Sequence, residues 1–497
     1  MRRYKLLLCV LSFSLFGCSD WLDVSPRQEM KQEELYKTEE GFKNSLIGVY
    51  IQVAGERLYG RDVSFYFTDY LAQLWVPAAS TVNASLIADY KIPNWMFADK
   101  DVEPVIERIW KSYYTAIVQL NDILGSIDAA QSIFSNHNYE LIKGEALGLR
   151  AFLHLDLLRL FGPIPGDDAA GKPAIPYAEE KTKDPNQLLT LPYESVIAKI
   201  IRDLNAAETL LASVDPLITS DNQHLNAPER VWTNWTPPAD LWQTSRQQRF
   251  NYYAVLGAKA RYYHWIGDKT NAVAYAKQVI DAGKFRLAAG TDYTSTTAEY
   301  GKNLVMLSEH LFGVHNSNHQ NVIQAYFKTG KPRLTATVAN INNYVYENNT
   351  SEQRNIPNRY WIARTYEGST AYNFMKYGGN TDFSEINKIP VLRLSEMYFI
   401  VVEDSPLGDF STYYDEYVDA RVLPVAYKSE LTTEALVLTR LAKEYRKEFY
   451  GEGQTFFFYK KHRYTTIPRA TASGSFTIPA AYQNFEIPRP KSQTVFE

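Results

Sequence analysis

Apolar positions recur at three- and four-residue intervals from Gly41 to Tyr59, from Val105 to Ile127 and from Tyr139 to Phe161, with few breakers inside any of these stretches. That spacing draws one apolar stripe along each segment and predicts three amphipathic helices. The third is the sharpest: Ala146, Leu149, Leu153, Leu157 and Leu160 fall on one face, and Gly162-Pro163 closes the segment. A fourth helix is predicted from Tyr193 to Leu211, carrying Val196, Ile197, Ile200, Ile201, Leu204 and Leu211 behind Pro192.

Two further segments, Tyr252 to Ile266 and Thr270 to Ala282, are joined only by Gly267-Asp268. Leu256, Ala260 and Tyr263 are set to face Ala272, Ala276 and Val279, and small alanines at these positions let two helices approach closely. The arrangement resembles a tetratricopeptide helix pair, a unit that stacks because neither helix buries its apolar face alone. A second candidate pair runs from Leu392 to Val402 and from Thr412 to Arg421, followed by a helix from Thr433 to Tyr450. The spacing is uneven, so imperfect helical pairs are expected rather than a regular solenoid.

Between these helices the pattern weakens. Trp75 to Trp95, Ser213 to Arg249 (with Trp232, Trp235 and Trp242) and Ala288 to Ala363 are long, rich in Asn, Ser, Thr and aromatics, and nearly aperiodic. Loops of this length are usually functional or disordered, and their Trp and Tyr content argues against disorder. The run Val322-Ile323-Gln324-Ala325-Tyr326-Phe327 suggests a small strand. The fold class that follows is mainly α: helix pairs packed against an irregular, loop-rich layer with a few short strands.

The first residues change the picture of where the chain works. Met1-Arg2-Arg3-Tyr4-Lys5 precedes an apolar run from Leu6 to Phe16, then Gly17-Cys18-Ser19-Asp20. This reads as a signal peptide, and its apolar run falls well short of the roughly 20 residues that span a bilayer. Leu15-Phe16-Gly17-Cys18 resembles the bacterial lipobox, which implies lipid attachment at Cys18; the alternative is an ordinary signal peptide with Cys18 incidental. Residues 1 to 17 are thus expected to be removed, leaving 18 to 497 as a single domain. Cys9 would go with them, so the mature chain could form no internal disulfide. It would carry 49 basic against 56 acidic residues, a net charge of −7, which disfavours nucleic acid as a partner.

Chemistry-bearing motifs are scarce. No phosphate-binding GxxxxGK[ST] loop, GxGxxG fingerprint or GxSxG nucleophile elbow is present. Glycoside hydrolysis needs two carboxylates flanking one bond, and no pair is marked out by its surroundings. Glu145, Arg150, Asp156 and Arg159 sit at helical spacings suited to ion pairs, as do Arg393, Glu396 and Glu403, and a packing role is expected for both sets. His315 and His319 stand four apart, but Asn316-Ser317-Asn318 between them disfavours a helix, so no metal site and no cofactor is expected.

Several segments form one set: Cys18-Ser19-Asp20-Trp21-Leu22-Asp23 with Pro26; Trp110, Tyr113 and Asn121; Gly144-Glu145-Ala146, Leu149-Arg150-Ala151-Phe152, Leu157 and Arg159-Leu160-Phe161-Gly162 with Pro165. Ala258, Ala260-Arg261 and Gly267-Asp268 continue it, as do Pro390, Leu392-Arg393-Leu394-Ser395-Glu396-Met397-Tyr398, Glu403, Lys447-Glu448, Glu452-Gly453 and Phe456-Phe457. Together they resemble the SusD-like (SusD/RagB) family of outer-membrane nutrient-binding lipoproteins. Phe458-Tyr459 and the tail Ile487-Pro488-Arg489-Pro490 depart from the family pattern. The resemblance implies a cell-surface lipoprotein, anchored to the outer membrane, that captures an oligosaccharide and delivers it to a SusC-like TonB-dependent outer-membrane transporter without cleaving it. Two rivals stand beside it: an exported helical-repeat glycoside hydrolase or polysaccharide lyase, and a protein-binding surface scaffold.

Sugar recognition needs flat apolar platforms and polar groups that satisfy hydroxyls. By the resemblance, ligand contacts are expected from loop aromatics before the Trp110 helix and around the central strands: Trp75, Trp95, Tyr293, Tyr300, His315, Asn318 and Tyr326. Trp232, Trp235 and Trp242 form a separate candidate.

Overall fold

The structure is a computed structural model that describes residues 34–495 except 78–86, 167–168, 181, 183–187, 221–224, 226–237, 239, 295–302, 329–331, 357–358, 367, 379–386 and 472–473. The segment expected to be a signal peptide, Cys18, Tyr300, Trp232 and Trp235 lie outside the described residues.

Ten helices of eight or more residues occur among the described residues: α1 (Glu39–Val53), α2 (Glu103–Ile127), α3 (Asn138–Phe161), α4 (Tyr193–Leu211), α5 (Tyr252–Ile266), α6 (Lys269–Asp281), α7 (Leu394–Asp404), α8 (Ser411–Arg421), α9 (Glu434–Glu448) and α10 (Gln454–Lys461). Five strands matter for the site: β1 (His310–His315), β2 (Ala336–Thr337), β3 (Trp361–Tyr366), β4 (Ser369–Phe374) and β5 (Lys388–Arg393). Strands β1 and β5 pair antiparallel, and β2, β4 and β3 form a three-stranded sheet in that order. The fold is mainly helical, as the apolar periodicity predicts.

Helix α3 is the hub. Its stripe of Ala146, Leu149, Leu153, Leu157 and Leu160 is fully buried, but so are Glu145, His154, Asp156 and Arg159 on its other faces. From Gly148 to Phe161 it is enclosed on all sides, not amphipathic. Glycines make that possible: a Cβ at Gly144 would come within 2.7 Å of Leu211, and one at Gly148 within 2.7 Å of Phe250. Those contacts let α4 and the approach to α5 lie directly on the α3 backbone.

The helix pair α5–α6 forms as its sequence requires. Gly267 takes a left-handed conformation (φ 86°) and donates to the Tyr263 carbonyl, while the Asp268 side chain caps the α6 amide of Asn271. Leu256, Ala260, Ala272, Ala276 and Val279 are fully buried, and Tyr263 stacks on Tyr275 at 5.6 Å. The second pair starts two residues later than its periodicity suggests, because Leu392 and Arg393 end strand β5. In that strand Pro390 lies opposite Gly313, where the register is irregular. A proline normally argues against a strand, which is why the sequence conceals this one.

The Val322–Phe327 run is not a strand. It forms a helical turn, His319–Ile323, continued by a wider turn over Gln324–Lys328. Val322, Ile323, Tyr326 and Phe327 are buried while Gln324 and Ala325 are exposed. That is a helical pattern of pairs four apart, and the short alternating reading mistook its period.

Candidate functional site

The aromatic residues expected to meet a ligand are mostly core. Trp75 is fully buried, donates its indole N–H to the Phe65 carbonyl at 2.7 Å, and meets Tyr450 edge-on at 4.9 Å. Trp95 is 1% exposed, donates to the Leu71 carbonyl, and packs among Phe97, Phe456, Phe476 and Phe485. Tyr293 is likewise fully buried beside Tyr360, and burial pushes its phenol pKa up. These three rings offer no face to solvent, contrary to the expectation. An indole on an irregular segment satisfies its one donor on a nearby carbonyl and then behaves as a large apolar group. Trp242 is half-buried, with the Arg249 guanidinium 4.0 Å over its ring.

Tyr326 is 6% exposed and lies between two guanidinium groups, Arg61 at 5.7 Å and Arg333 at 4.8 Å from its centroid. Arg333 in turn holds Asp89, which accepts from Tyr66 at 2.6 Å. This is an internally satisfied cation–π cluster. His315 and Asn318 are exposed. His319 is buried against Tyr377, and burial, reinforced by His315, lowers its pKa to about 4. One ring points to solvent and the other to the core, so the two histidines do not form a ligand pair.

The charged residues assigned to packing are paired in the interior. Arg246 bridges Glu145 at 2.5 Å and Asp215 at 2.7 Å with all three side chains fully buried. Arg150 pairs with Asp203, Arg159 with Asp156, and Arg261 with Glu396. Arg393 contacts Glu309 and Glu448 at 2.7 Å and Glu452 at 2.8 Å, while Arg421 and Arg354 share Glu448. Burial alone would raise the Glu448 carboxyl, but Arg421, Arg393 and Arg354 outweigh it and hold the group well below the usual carboxylate range. Asp69 goes the other way: burial pushes its carboxyl up despite amide donors from Gly451 and Gly453. Its side chain is sealed and lines neither of the two concavities described next.

A concavity of about 640 Å³ opens beside the β3–β4 hairpin, lined by Phe327, Ala363, Arg364, Thr365, Tyr366, Asn373 and Met375. The hairpin turns at Gly368 (φ 80°), a conformation that glycine adopts without strain. Its inner register sets Trp361 opposite Phe374 and Ile362 opposite Asn373. Behind it Trp361, Phe374, Trp75 and Tyr450 form one aromatic cluster. The Asn373 amide donates to the Tyr366 hydroxyl at 2.8 Å, fixing a half-buried ring at the rim. Arg364 and Thr365 are exposed beside it. A clamped ring with an exposed guanidinium and hydroxyl beside it suits a flat polyhydroxylated ligand, since few rotors are lost on binding.

A second concavity, of about 400 Å³, is lined by Ile47, Tyr50, Ile51, Ser245, Gln248, Arg249, His315, Asn316 and Ser317. Of the residues expected from sequence, His315 lies here and Tyr326 adjoins Phe327 of the first. Tyr366 and Asn373 were missed. Gly368 between two runs rich in Thr, Tyr and alternating polar residues was the available hairpin signal.

Residues 20–221 match the family model SusD-like_3, described as "Starch-binding associating with outer membrane". The chain is 26% identical over 208 residues to SusD-like protein P25 of Formosa agariphila, and 24% identical over 213 residues to SusD-like protein P2 of the same organism. The matched stretches span 41% and 42% of this chain but only 37% and 38% of those relatives. Among solved structures, a SusD superfamily protein from Bacteroides thetaiotaomicron superposes with a TM-score of 0.68 at 19% identity, covering 92% of this chain and 98% of that one. A SusD-like carbohydrate binding protein from Bacteroides vulgatus superposes with a TM-score of 0.64 at 17% identity, covering 87% and 85%. At these identities the structural likeness concerns the fold.

Proposed function

Starting from a chain that is SusD-like in its N-terminal sequence and in its fold, we propose that it is a glycan-binding protein of the outer membrane that holds an oligosaccharide at the β3–β4 hairpin. The observation that carries this reading is the concavity in which Asn373 clamps the Tyr366 ring beside Arg364 and Thr365. The ring stacks on a pyranose face, and the polar groups take the hydroxyls that would otherwise lose hydrogen bonds, at about 1–3 kcal/mol each. His315 and Asn318, both exposed, offer a further polar surface for a longer chain. The ligand is bound and passed on intact, to a SusC-like TonB-dependent transporter in the same membrane.

Attachment rests on Cys18. Stable anchoring takes about two acyl chains, which a multiply acylated N-terminal cysteine supplies. Cys18→Ala is expected to move a folded protein into the soluble fraction; membrane retention of that variant would contradict the anchor. The binding claim is tested by isothermal titration with an array-selected glycan. Tyr366→Ala should weaken affinity at least tenfold with an unchanged melting temperature.

A further inference from the structure

We infer that His264, Glu403 and Asp404, joined by His462, form a binding site for one divalent transition-metal cation of the zinc type. His315 and His319 form no ligand pair, and no metal site is expected from the sequence, but the structure brings another set of ligands together. His264 lies in the last turn of α5, Glu403 and Asp404 end α7, and His462 directly follows α10. Three helix C-termini therefore meet here, each contributing partial negative charge that favours a cation.

One ligand atom from each of His264, Glu403 and Asp404 lies within 4.8 Å of the others. His264 Nδ1 is 2.5 Å from Asp404 Oδ2, His264 Nε2 is 3.7 Å from Glu403 Oε1, and His462 Nε2 is 3.0 Å from that same oxygen. Four ligands about 2.0–2.2 Å from a tetrahedral ion stand roughly 3.4 Å apart, so one His264 nitrogen ligates, the His264–Asp404 contact opens by about 1 Å, and His462 swings in to complete the set. Two neutral imidazoles and two carboxylates balance the charge of a dication, and nitrogen–oxygen ligation of this kind suits zinc.

Without such an ion the two carboxylates are met by Lys461, His264 and His462, yet one oxygen stays unmet. The Glu403 and Asp404 side chains are only 4% and 2% exposed, and Glu403 Oε2 is buried with no hydrogen-bond partner. The nearest cation is Lys461, whose Nζ sits 2.6 Å from Glu403 Oε1 and 2.9 Å and 3.1 Å from the two ring nitrogens of His264. A neutral imidazole has one in-plane lone pair, so one of those two contacts sets an ammonium against an N–H. Lys461 holds the place that a dication would take. A cavity of about 290 Å³ borders the cluster, lined by Glu403, Asp404, Lys461 and His462 with Gly267 and Phe410. It gives the ion an entry path and Lys461 room to swing aside.

The test titrates chelator-stripped protein with Zn2+ by calorimetry and with Co2+ by visible absorption. One equivalent should bind, and Co2+ should show the intense bands of a low-symmetry four-coordinate site. His264→Gln should weaken binding at least a hundredfold, and Lys461→Met, which removes the competing ammonium, should tighten it about tenfold. Absence of saturable binding in both the natural protein and Lys461→Met would overturn the inference, as would binding that His264→Gln leaves unchanged. Should His264→Gln fail to fold, the Lys461→Met affinity and the Co2+ spectrum decide the matter without it. None of these readouts depends on a glycan.

Discussion

The helical stack around α3 and the β3–β4 hairpin layer handle polar side chains in opposite ways. In the stack, Arg246, Arg261, Arg393 and Arg421 are buried and each is answered by carboxylates within 3 Å. At the hairpin, Arg364 and Thr365 face solvent around a fixed tyrosine ring. The first arrangement spends these guanidinium groups on carboxylates and leaves them none to offer a glycan. The second leaves the Arg364 guanidinium at the surface, beside a Thr365 hydroxyl that meets only Thr370 at 3.1 Å. Charged residues in a family-like pattern therefore mark architecture in this chain, and binding is sought where regular structure is thinnest.

The sharpest way to break this comparison is to remove a charge from the stack. Arg393→Met leaves Glu309, Glu448 and Glu452 buried and short of a partner, and is expected to cost about 3–5 kcal/mol, or folding itself, in urea denaturation. A variant as stable as the parent would show the network to be dispensable. Trp95→Ala comes next, at about 3–5 kcal/mol, because it empties a site packed by four phenylalanines. Glycan affinity of the folded protein should not change. A loss of affinity without loss of stability would return Trp95 to the binding surface.

Acid sharpens the contrast further. Burial lowers the pKa of His154 to about 3 and that of His310 to about 3. His154 donates from Nδ1 to the Arg150 carbonyl and accepts at Nε2 from the Ala178 amide, so a second proton has no place. Both rings are neutral when folded, whereas unfolded histidine titrates near 6.5. Their contribution is complete above that pH and is lost as the pH falls toward the folded pKa values, by about 1.4 kcal/mol per unit for each ring. The melting temperature should fall steadily between pH 6.5 and 4.5. The hairpin concavity has no histidine lining, so affinity of the protein that remains folded should stay level. A melting temperature independent of pH would contradict the assignment of buried neutral rings.

Most of the helical layer was legible in the sequence because helix periodicity, Gly267-Asp268 and Pro192 are local signals. The hub character of α3 was not, since four leucines and an alanine on one face say nothing of what encloses Glu145 and Asp156. Strand β5 was hidden by Pro390, and the Val322–Phe327 turn by a run too short to fix its period. The candidate site was the least legible part. Trp75 and Trp95 look like platforms in a string of letters, but exposure depends on contacts with Tyr450 and Phe485, several hundred residues away in sequence. Tyr366 carries no distinguishing neighbour except the turn at Gly368, and its value comes from Asn373 across the hairpin.

The central claim, that this chain binds glycan at the hairpin and does not cleave it, is tested most directly by one calorimetric titration. The protein and Tyr366→Ala are compared against an oligosaccharide chosen from an array, with the recovered sugar analysed by chromatography. The expected result is saturable binding by the parent, at least tenfold weaker binding by the variant, equal melting temperatures and intact sugar. Equal affinities in the two proteins, no bound glycan, or shortened sugar would contradict it.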